Sequence, residues 1–568
     1  MRTLLVTLHS KFIHASLALP YLAAYCGTTR GEPRIREHTV HEPREQVLAA
    51  LLAEEPEVIA FSVYLWNRRE TLDLIDALHA ARPEVRCVVG GPEISFDGPE
   101  LFAAHPGLAA LVRGEGEIPL RGLLAAWQQK VRPLGVPRLA WRDGESVVEG
   151  PDGPPLADLD AIPSPFAAGL VDLSRGLVYY ETSRGCPYTC AFCMSALDAS
   201  VRSFSRERIA ADLGLLMARE VATIKLVDRT FNYDAARARE IFRFILRHNR
   251  ASRFHFEIGA HLLDEDTLRL LEQVPPGLFQ FEIGVQSTLP ATLAAVNRRA
   301  DLRRLAANVA RLRRAGNIHL HLDLIAGLPG ESYHEFLASL DQVAALRPHH
   351  LQVEAVKLLP GSPLRAQARD LGLRHDPNPP YRVLETPHLS FAELEKLRGL
   401  GRLLDLTWNS GRMPGFLEGL AQAHGTLGAA LDHLDSYWRQ QGLHGQPLSL
   451  RGLFEALDAY LQNTCAPPLG LQLRDLLARD YARRERVVAT SAPPFFDLSL
   501  DAAELAEISR RVRDAGAALR GQGVKLQYFA AVFHHLPDSP GRTPLLFLYE
   551  TRTGAGLSVK EQPLYRPA

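Results

Sequence analysis

The sequence predicts a mixed α/β protein in three parts. These are an N-terminal doubly wound, Rossmann-like domain, a partial (β/α)6 barrel and a mainly helical C-terminal domain. Two observations carry this prediction: apolar runs alternate with helical-period segments twice along the chain, and helical patterns dominate the last third. A chain of 568 residues is also too long for one ordinary domain. We place the domains at residues 1–130, 173–375 and 376–568, with a linker at 131–172.

Composition argues against several classes of partner. Lysine and arginine total 64 against 65 for aspartate and glutamate, so the net charge of -1 does not favour a nucleic-acid partner. No apolar run approaches the ~20 residues of a transmembrane helix. The N-terminus reads as a strand, not as a signal peptide. We therefore expect a cytoplasmic protein without a membrane partner.

The N-terminal domain is predicted from five apolar runs with helical segments such as Leu72–Ala81 between them. The runs are Leu4–Leu8, Arg34–Val40, Val58–Val63, Val85–Val89 and Ala109–Val112. This alternation predicts a doubly wound parallel sheet, whose ligands bind at the carboxyl ends of the strands. The turns 90–93 and 113–117 follow two of these strands and are therefore candidate ligand loops.

Prolines interrupt the pattern after the N-terminal domain. Residues 151–155 and 162–165 can continue neither a helix nor a central strand. We therefore read residues 131–172 as a linker.

Six further strands, with helical segments such as Ser205–Arg219 and Asp234–His248 between them, predict the barrel. The strands are Leu177–Thr182, Thr223–Val227, Arg253–Ile258, Phe279–Val285, Ile318–Ile325 and Leu351–Val356. An incomplete barrel of this kind carries its site at the C-terminal rim.

The remainder changes character: helical patterns run from Phe391 to Arg483, and a strand pair is predicted near Gln527–Phe533 and Pro544–Tyr549.

A group of cysteines carries the strongest chemical signal. Cys186, Cys190 and Cys193 follow the first barrel strand with the spacing C-x3-C-x2-C. Three thiolates on one loop can bind three irons of a [4Fe-4S] cluster, and no fourth cysteine is near. The open iron could take the amino and carboxylate groups of S-adenosylmethionine (SAM), and the reduced cluster could break a carbon–sulfur bond of its sulfonium. A zinc site or three unrelated thiols are the alternatives.

This loop, with Phe192 before its last cysteine, resembles the signature of the radical SAM superfamily. The resemblance implies that Phe192 packs near the adenine. It assigns further SAM contacts to residues at the ends of the later barrel strands: Asp228, Glu257, Gln286, Ser287 and Gly327. Each polar residue among them could equally be a satisfied strand end or helix cap.

A doubly wound domain before such a barrel resembles the cobalamin-binding radical SAM subfamily. The matching positions are Ser62, Tyr64, Leu65, Trp66, Gly90, Gly91, Glu93, Gly114, Glu115, Gly116 and Glu117. Glycines would let the backbone approach the corrin, and the large aromatics could lie below or beside it. The sequence lacks a D-x-H-x-x-G motif, so we expect His9 and His14 to be loop or cap residues. A domain that binds nothing, and a tRNA methylthiotransferase type needing three more cysteines, are the alternatives.

The C-terminal part resembles the domain of unknown function found on one branch of this subfamily, most clearly at Trp408–Arg412. It could cap the barrel and exclude water from a radical, or it could be structural packing.

The resemblance implies methyl transfer through methylcobalamin to an unknown small-molecule or peptide substrate, with electrons from a donor such as flavodoxin or ferredoxin. A non-methylating radical rearrangement or cyclisation, and a non-enzymatic cobalamin- or redox-sensing module, remain open. The sequence identifies no catalytic acid or base.

Overall fold

A computed structural model of the chain describes residues 1–11, 14–27, 33–198, 200–520, 522–552 and 556–565. The chain divides into two units. The first contains Met1–Glu331 and Ala355–Phe391, and the second contains Ser332–Glu354 and Ala392–Ala568. The N-terminal domain and the first five barrel strands therefore share one unit.

The N-terminal domain is a seven-stranded sheet with a hydrophobic core on each face. Its elements are β1 (Thr3–His9), α1 (Ala18–Cys26), β2 (Arg34–Thr39), α2 (Arg44–Leu52), β3 (Val58–Ser62), α3 (Arg68–Ala81), β4 (Arg86–Gly90), α4 (Pro99–Ala104), β5 (Leu108–Val112), α5 (Glu117–Gln128), β6 (Leu139–Asp143) and β7 (Ser146–Glu149). Strands β1 to β5 are parallel, as predicted, and their order in the sheet is β2-β1-β3-β4-β5. The order reverses between β1 and β3, and doubly wound sheets bind ligands at such a switch point.

The predicted linker is partly wrong. Strands β6 and β7 lie inside residues 131–172 and extend the sheet as an antiparallel hairpin. Gly144 turns this hairpin with a φ of 63°, and Trp141 is buried in the core of the domain. Two edge strands that are joined by a tight turn can be very short. Because prolines surround these two strands, their short pattern was not recognised in the sequence.

The barrel strands in the first unit are parallel and adjacent in chain order. The elements of this region are β8 (Leu177–Tyr180), β9 (Ser183–Arg184), β10 (Arg202–Ser203), α6 (Arg206–Ala218), β11 (Thr223–Leu226), α7 (Ala235–His248), β12 (Arg253–Glu257), α8 (Glu265–Leu271), β13 (Phe279–Gln286), α9 (Pro290–Ala295), α10 (Leu302–Ala315) and β14 (His319–Ala326). The short elements α12 (Pro363–Ala366), β16 (Arg374–His375) and β17 (Val383–Glu385) also belong to this unit. The partial barrel predicted from the alternating pattern is confirmed.

The two faces of the barrel sheet differ in polarity. On β13 and β14 buried and partly exposed residues alternate, as a strand period of two requires. The buried set is rich in phenylalanine and packs with Phe242 of α7. The other face carries polar side chains: Lys225, His255, Glu257, Glu282, His321 and Asp323. Glu282 pairs with Lys225 at 3.3 Å and with His255 at 2.8 Å.

The second unit is mainly helical, as predicted. It contains α11 (Tyr333–Ala345), β15 (His350–Ala355), α13 (Phe391–Leu406), α14 (Pro414–His424), α15 (Leu427–Gln440), α16 (Leu450–Thr464), α17 (Pro467–Arg484), α18 (Ala502–Ala518), β18 (Val524–Leu536), β19 (Ser539–Arg552) and β20 (Leu557–Pro563). Strand β15 corresponds to the sixth predicted barrel strand. The predicted pair β18–β19 gains a third antiparallel strand, β20, which the polar sequence of that segment did not reveal. Within the described ranges, no helix has the length and apolar character that crossing a membrane requires.

Candidate iron–sulfur and cobalamin sites

The three cysteines lie on the loop that follows β8, between β9 and β10. Gly185 opens the loop with a φ of 88°, and an added Cβ there would overlap the carbonyl oxygen of Ser200. Only glycine fits this conformation and this approach of two backbones. Gly185 therefore allows a tight turn directly before Cys186, the first thiol of the loop.

Each thiol has a neighbouring polar group. The Sγ of Cys186 lies 3.6 Å from the hydroxyl of Thr230. Arg298 Nη1 donates to the Sγ of Cys190 at 3.8 Å. The Sγ of Cys193 accepts from the amide of Ser195 at 3.4 Å. The donors from Arg298 and Ser195 are of a kind that stabilises a thiolate and tunes the potential of a cluster.

The thiols also interact with one another. Burial raises the pKa of the Cys190 thiol, Arg298 lowers it, and Cys193 and Cys186 raise it further. In the described part of the chain, no three His, Cys, Asp or Glu side chains converge on one metal ion. A cubane cluster binds each thiolate to a different iron, so it does not need that convergence. The donor set and its spacing fit a [4Fe-4S] cluster held by three soft ligands.

The scattered cysteines behave differently from this group. Cys26 and Cys87 are buried in the two cores of the N-terminal domain, and Cys465 follows α16 and is partly exposed.

Asp228, assigned to SAM by resemblance, is buried and engaged by protein groups. Its carboxylate accepts from the amide of Thr182 at 3.1 Å and from the hydroxyls of Thr182 and Ser183, both at 2.5 Å. The guanidinium of Arg237 lies 3.9 Å away. These contacts tie the end of β11 to the start of the cysteine loop.

Gln286 has the features of a ligand-binding residue. It takes a φ of 74° at a bulge in β13, a conformation that a side-chain-bearing residue rarely adopts. Its Oε1 is buried and lacks a hydrogen-bond partner among the described residues. A polar group of SAM would satisfy that atom.

The other predicted SAM residues lie around the same rim. The buried hydroxyl of Ser287 donates to Glu331 at 2.7 Å. Gly327 follows β14 with a φ of 90°, and Phe192 is half-buried on the cysteine loop. Burial raises the pKa of Glu257 to about 7, with a smaller contribution from Glu282.

The crevice at the β1/β3 switch point holds a pair of stacked aromatics. The rings of Tyr64 and Trp66 are parallel within 4° at 4.5 Å, and Trp66 is 41% exposed. Trp66 Nε1 donates to the carbonyl of Leu8 at 3.2 Å, and the buried Asn67 donates to the same carbonyl at 2.9 Å. An exposed indole fixed at a switch point is suited to pack against a large planar ligand. Leu65, between the two aromatics, is half-buried.

The loop after β4 approaches the same crevice closely. Gly91 has a φ of 114°, and an added Cβ would lie 2.5 Å from the carbonyl oxygen of Val63. The carbonyl of Gly90 accepts a hydrogen bond from the amide of Val63 at 2.7 Å. Ser62 is buried, and its side chain forms a hydrogen bond with Tyr64. Burial raises the pKa of the Tyr64 hydroxyl, and this hydrogen bond lowers it. The backbone and aromatic groups here fit the cradle that a corrin requires.

The acidic residues of the predicted cobalamin loops contact the protein. Glu93 is buried and accepts from the hydroxyl of Tyr381. Glu115 and Glu117, which follow Gly114 and flank Gly116, form ion pairs with arginines of the barrel region. Gly114 has a φ of 68°. His14 lies outside the strands and pairs with Tyr179, whereas His9 is the buried last residue of β1 and pairs with Glu37, so the predicted loop role is wrong for His9.

Sequence reasoning missed Arg298 and the role of Asn67. Arg298 stands 108 positions from Cys190, and no local pattern connects the two. Asn67 accepts from the amide of Tyr64 at 2.7 Å and donates to the carbonyl of Leu8, so it bridges two loops, and only its place directly after Trp66 could have indicated that role.

The fold and the three-cysteine loop define a radical SAM protein, and comparison with known families agrees. The chain matches the B12 binding domain over residues 3–124, the radical SAM superfamily over 180–343 and a protein family of unknown function, DUF4080, over 369–518. The chain therefore carries a B12 binding domain, a radical SAM domain and a DUF4080 domain, in that order. Cobalamin is the cofactor of the B12 binding domain, and SAM and the [4Fe-4S] cluster are the cofactors of the radical SAM domain.

Individual relatives agree with this assignment. The chain is similar to the cobalamin-dependent radical SAM methyltransferase TokK of Streptomyces tokunonensis, with 30% identity over 352 residues, covering 58% of this chain and 51% of TokK. It is also similar to the 2-(S-pantetheinyl)-carbapenam-3-carboxylate methyltransferase of Streptantibioticus cattleyicolor, with 29% identity over 399 residues, 62% of this chain and 56% of that protein. The chain thus spans about half the length of these relatives.

A solved structure shares the fold. The methyltransferase TsrM from Kitasatospora setae, with cobalamin and a [4Fe-4S] cluster bound, aligns with a TM-score of 0.55 at 19% identity, covering 70% of this chain and 85% of that chain.

Proposed function

We propose that this protein is a cobalamin-dependent radical SAM methyltransferase acting on a small molecule or a peptide. One observation carries the proposal: a loop with three cluster-type thiols belongs to the same unit as a B12 binding domain whose switch-point crevice holds a stacked aromatic pair with an exposed indole. When bound, the cluster supplies the electron that cleaves SAM, and the cobalamin supplies a carrier for a methyl group.

The residues of the chain have distinct tasks in this proposal. Cys186, Cys190 and Cys193 hold the cluster, and Arg298 places a positive charge beside one thiolate. Gln286 offers its unpartnered Oε1 to SAM. Tyr64 and Trp66 support the corrin at the crevice.

The working context is also part of the proposal. Electron transfer to the cluster requires a donor such as flavodoxin or ferredoxin, and reduced thiols are typical of the cytoplasm. The near-neutral charge of the chain supports a small-molecule or peptide substrate over nucleic acid.

Anaerobic reconstitution with iron, sulfide and cobalamin, followed by mass spectrometry of the SAM products, tests the function. Methyl transfer predicts both 5′-deoxyadenosine and S-adenosylhomocysteine in the presence of substrate. Formation of 5′-deoxyadenosine without S-adenosylhomocysteine would indicate a radical rearrangement or cyclisation and would contradict methyl transfer. Absence of SAM cleavage by a protein with a full cluster would leave only a sensing role.

A further inference from the structure

Two arginines flank the cysteine loop as direct cross-strand neighbours. Strands β9 and β10 pair antiparallel at the base of this loop, and their register sets Arg184 opposite Arg202. Like charges placed directly opposite on a strand pair destabilise it. Both side chains are also largely buried, at 14% and 11% exposed, so their charges need compensation nearby.

The compensation comes from the N-terminal domain. Arg184 Nη1 lies 2.9 Å from Glu117 Oε1 and 3.5 Å from Glu115 Oε2. Arg202 binds both carboxylate oxygens of Glu115, at 3.1 Å and 2.5 Å. Glu117 is 5% exposed on its side chain, so this contact is inside the protein and not on its surface.

The remaining contacts keep both arginines in place. Arg184 also pairs with Glu181 at 2.8 Å, before the loop. Arg202 pairs with Asp198 at 2.8 Å, after it, and donates to the carbonyl of Leu156 at 2.6 Å. Forked, charge-assisted bonds of this type fix orientation as well as distance.

We propose that Glu115 and Glu117 are not ligands of cobalamin but form, with Arg184 and Arg202, an interdomain charge clamp that holds the cysteine loop in register with the B12 binding domain. Arg184 and Arg202 are then positioning residues: they touch neither cofactor and set the distance between the two. This proposal rests on the proposed function for its catalytic consequence, but not for its structural one.

The clamp explains why the loop after β5 is acidic. Glu115 and Glu117 stand on either side of Gly116, where α5 begins, so both carboxylates can reach the hairpin at the base of the cysteine loop. A chemical step that uses both cofactors depends on the register of these two loops, and an ångström-scale misplacement slows such a step by about 100-fold.

The test compares the full-length reconstituted holoprotein with Glu117→Gln, Arg184→Lys and their double variant. Glu37→Gln is the matched control, because Glu37 forms another interdomain ion pair, with Arg175 at 2.8 Å, away from the cysteine loop. Hydrogen–deuterium exchange of residues 181–204 reports the register without requiring activity. Cluster absorbance, cobalamin affinity, SAM cleavage and the transfer of the SAM methyl group to cobalamin are measured in parallel.

We expect faster exchange in residues 181–204 for both clamp variants and not for the control. Cluster content and cobalamin affinity should stay at the wild-type level, while methyl transfer to cobalamin slows by about 100-fold. The double variant should lose less than the sum of the two single effects, because both substitutions weaken the same Arg184–Glu117 pair. Arg184→Lys keeps the charge without the fork, so it remains informative if other variants fold poorly.

A selective loss of cobalamin affinity in Glu117→Gln would overturn the proposal, because that carboxylate would then contact the cofactor. Unchanged exchange in residues 181–204 would overturn it as well. If the wild-type protein bound no cobalamin or cleaved no SAM, the proposed function would fail, while the exchange experiment would still decide the clamp.

Discussion

Replacing Asp228 with alanine should destabilise the first unit and should not act by weakening SAM binding. The carboxylate accepts the amide and hydroxyl of Thr182 and the hydroxyl of Ser183. Its removal leaves three buried donors without a partner, and each unpaired donor costs about 1–2 kcal/mol. Since Arg237 also loses a nearby countercharge, we expect a total cost of about 4 kcal/mol.

This cost can be read as a change in melting temperature. Unfolding entropy grows with the number of residues, so the unit Met1–Glu331 with Ala355–Phe391 has about 0.8 kcal/mol per kelvin, and the loss should lower Tm by about 5 °C. Asp234→Ala is the matched control. Asp234 caps α7 through the amide of Arg237 at 3.0 Å, and losing a cap costs about 1 kcal/mol.

Differential scanning calorimetry of the reconstituted protein gives Tm, and deoxyadenosine formation gives KM for SAM. We expect Asp228→Ala to melt well below Asp234→Ala and to keep the wild-type KM at temperatures where it is folded. Equal melting of the two variants, with KM for SAM raised by about tenfold or more in Asp228→Ala, would refute this reasoning and restore Asp228 as a SAM ligand.

Three further outcomes are expected. Cys190→Ala should abolish both the cluster absorbance and SAM cleavage, which anaerobic spectroscopy and product analysis will show. Gly91→Ala should cost about 2 kcal/mol and weaken cobalamin binding, because its φ of 114° is strained for alanine and the new Cβ meets the carbonyl of Val63; Gly135→Ala, with open space around it, should cost about 1 kcal/mol and leave cobalamin affinity unchanged in titrations. The pKa of Glu257 is raised to about 7, so the folded protein holds its proton longer than the unfolded chain does. The contribution of Glu257 to the free energy of unfolding therefore falls as pH rises from its pKa in the unfolded chain towards 7, and it is constant above pH 7. The Tm measured between pH 5 and 8 should consequently decline less in Glu257→Gln than in wild type.

Local sequence patterns determined much of this protein. The spacing of the three cysteines set the chemistry of their loop, because ligands a few residues apart must stay close in any fold. The alternation of apolar runs and helical periods gave the parallel strands of both α/β halves, since the strand period of two and the helix period of 3.6 are properties of the local backbone. Gly91 could be assigned to a candidate ligand loop because it follows one of the predicted strands.

Only the tertiary structure decided which partners the charged residues have. The sequence indicated Glu115, Glu117 and Asp228 as candidate cofactor contacts, and only the fold shows that they also contact arginines or hydroxyl groups of the protein. Arg298 reaches Cys190 across 108 positions. The physical reason is that a side chain's partner depends on which distant segments the packed core brings within a few ångströms, and the local periodicity of the chain carries no record of that distance.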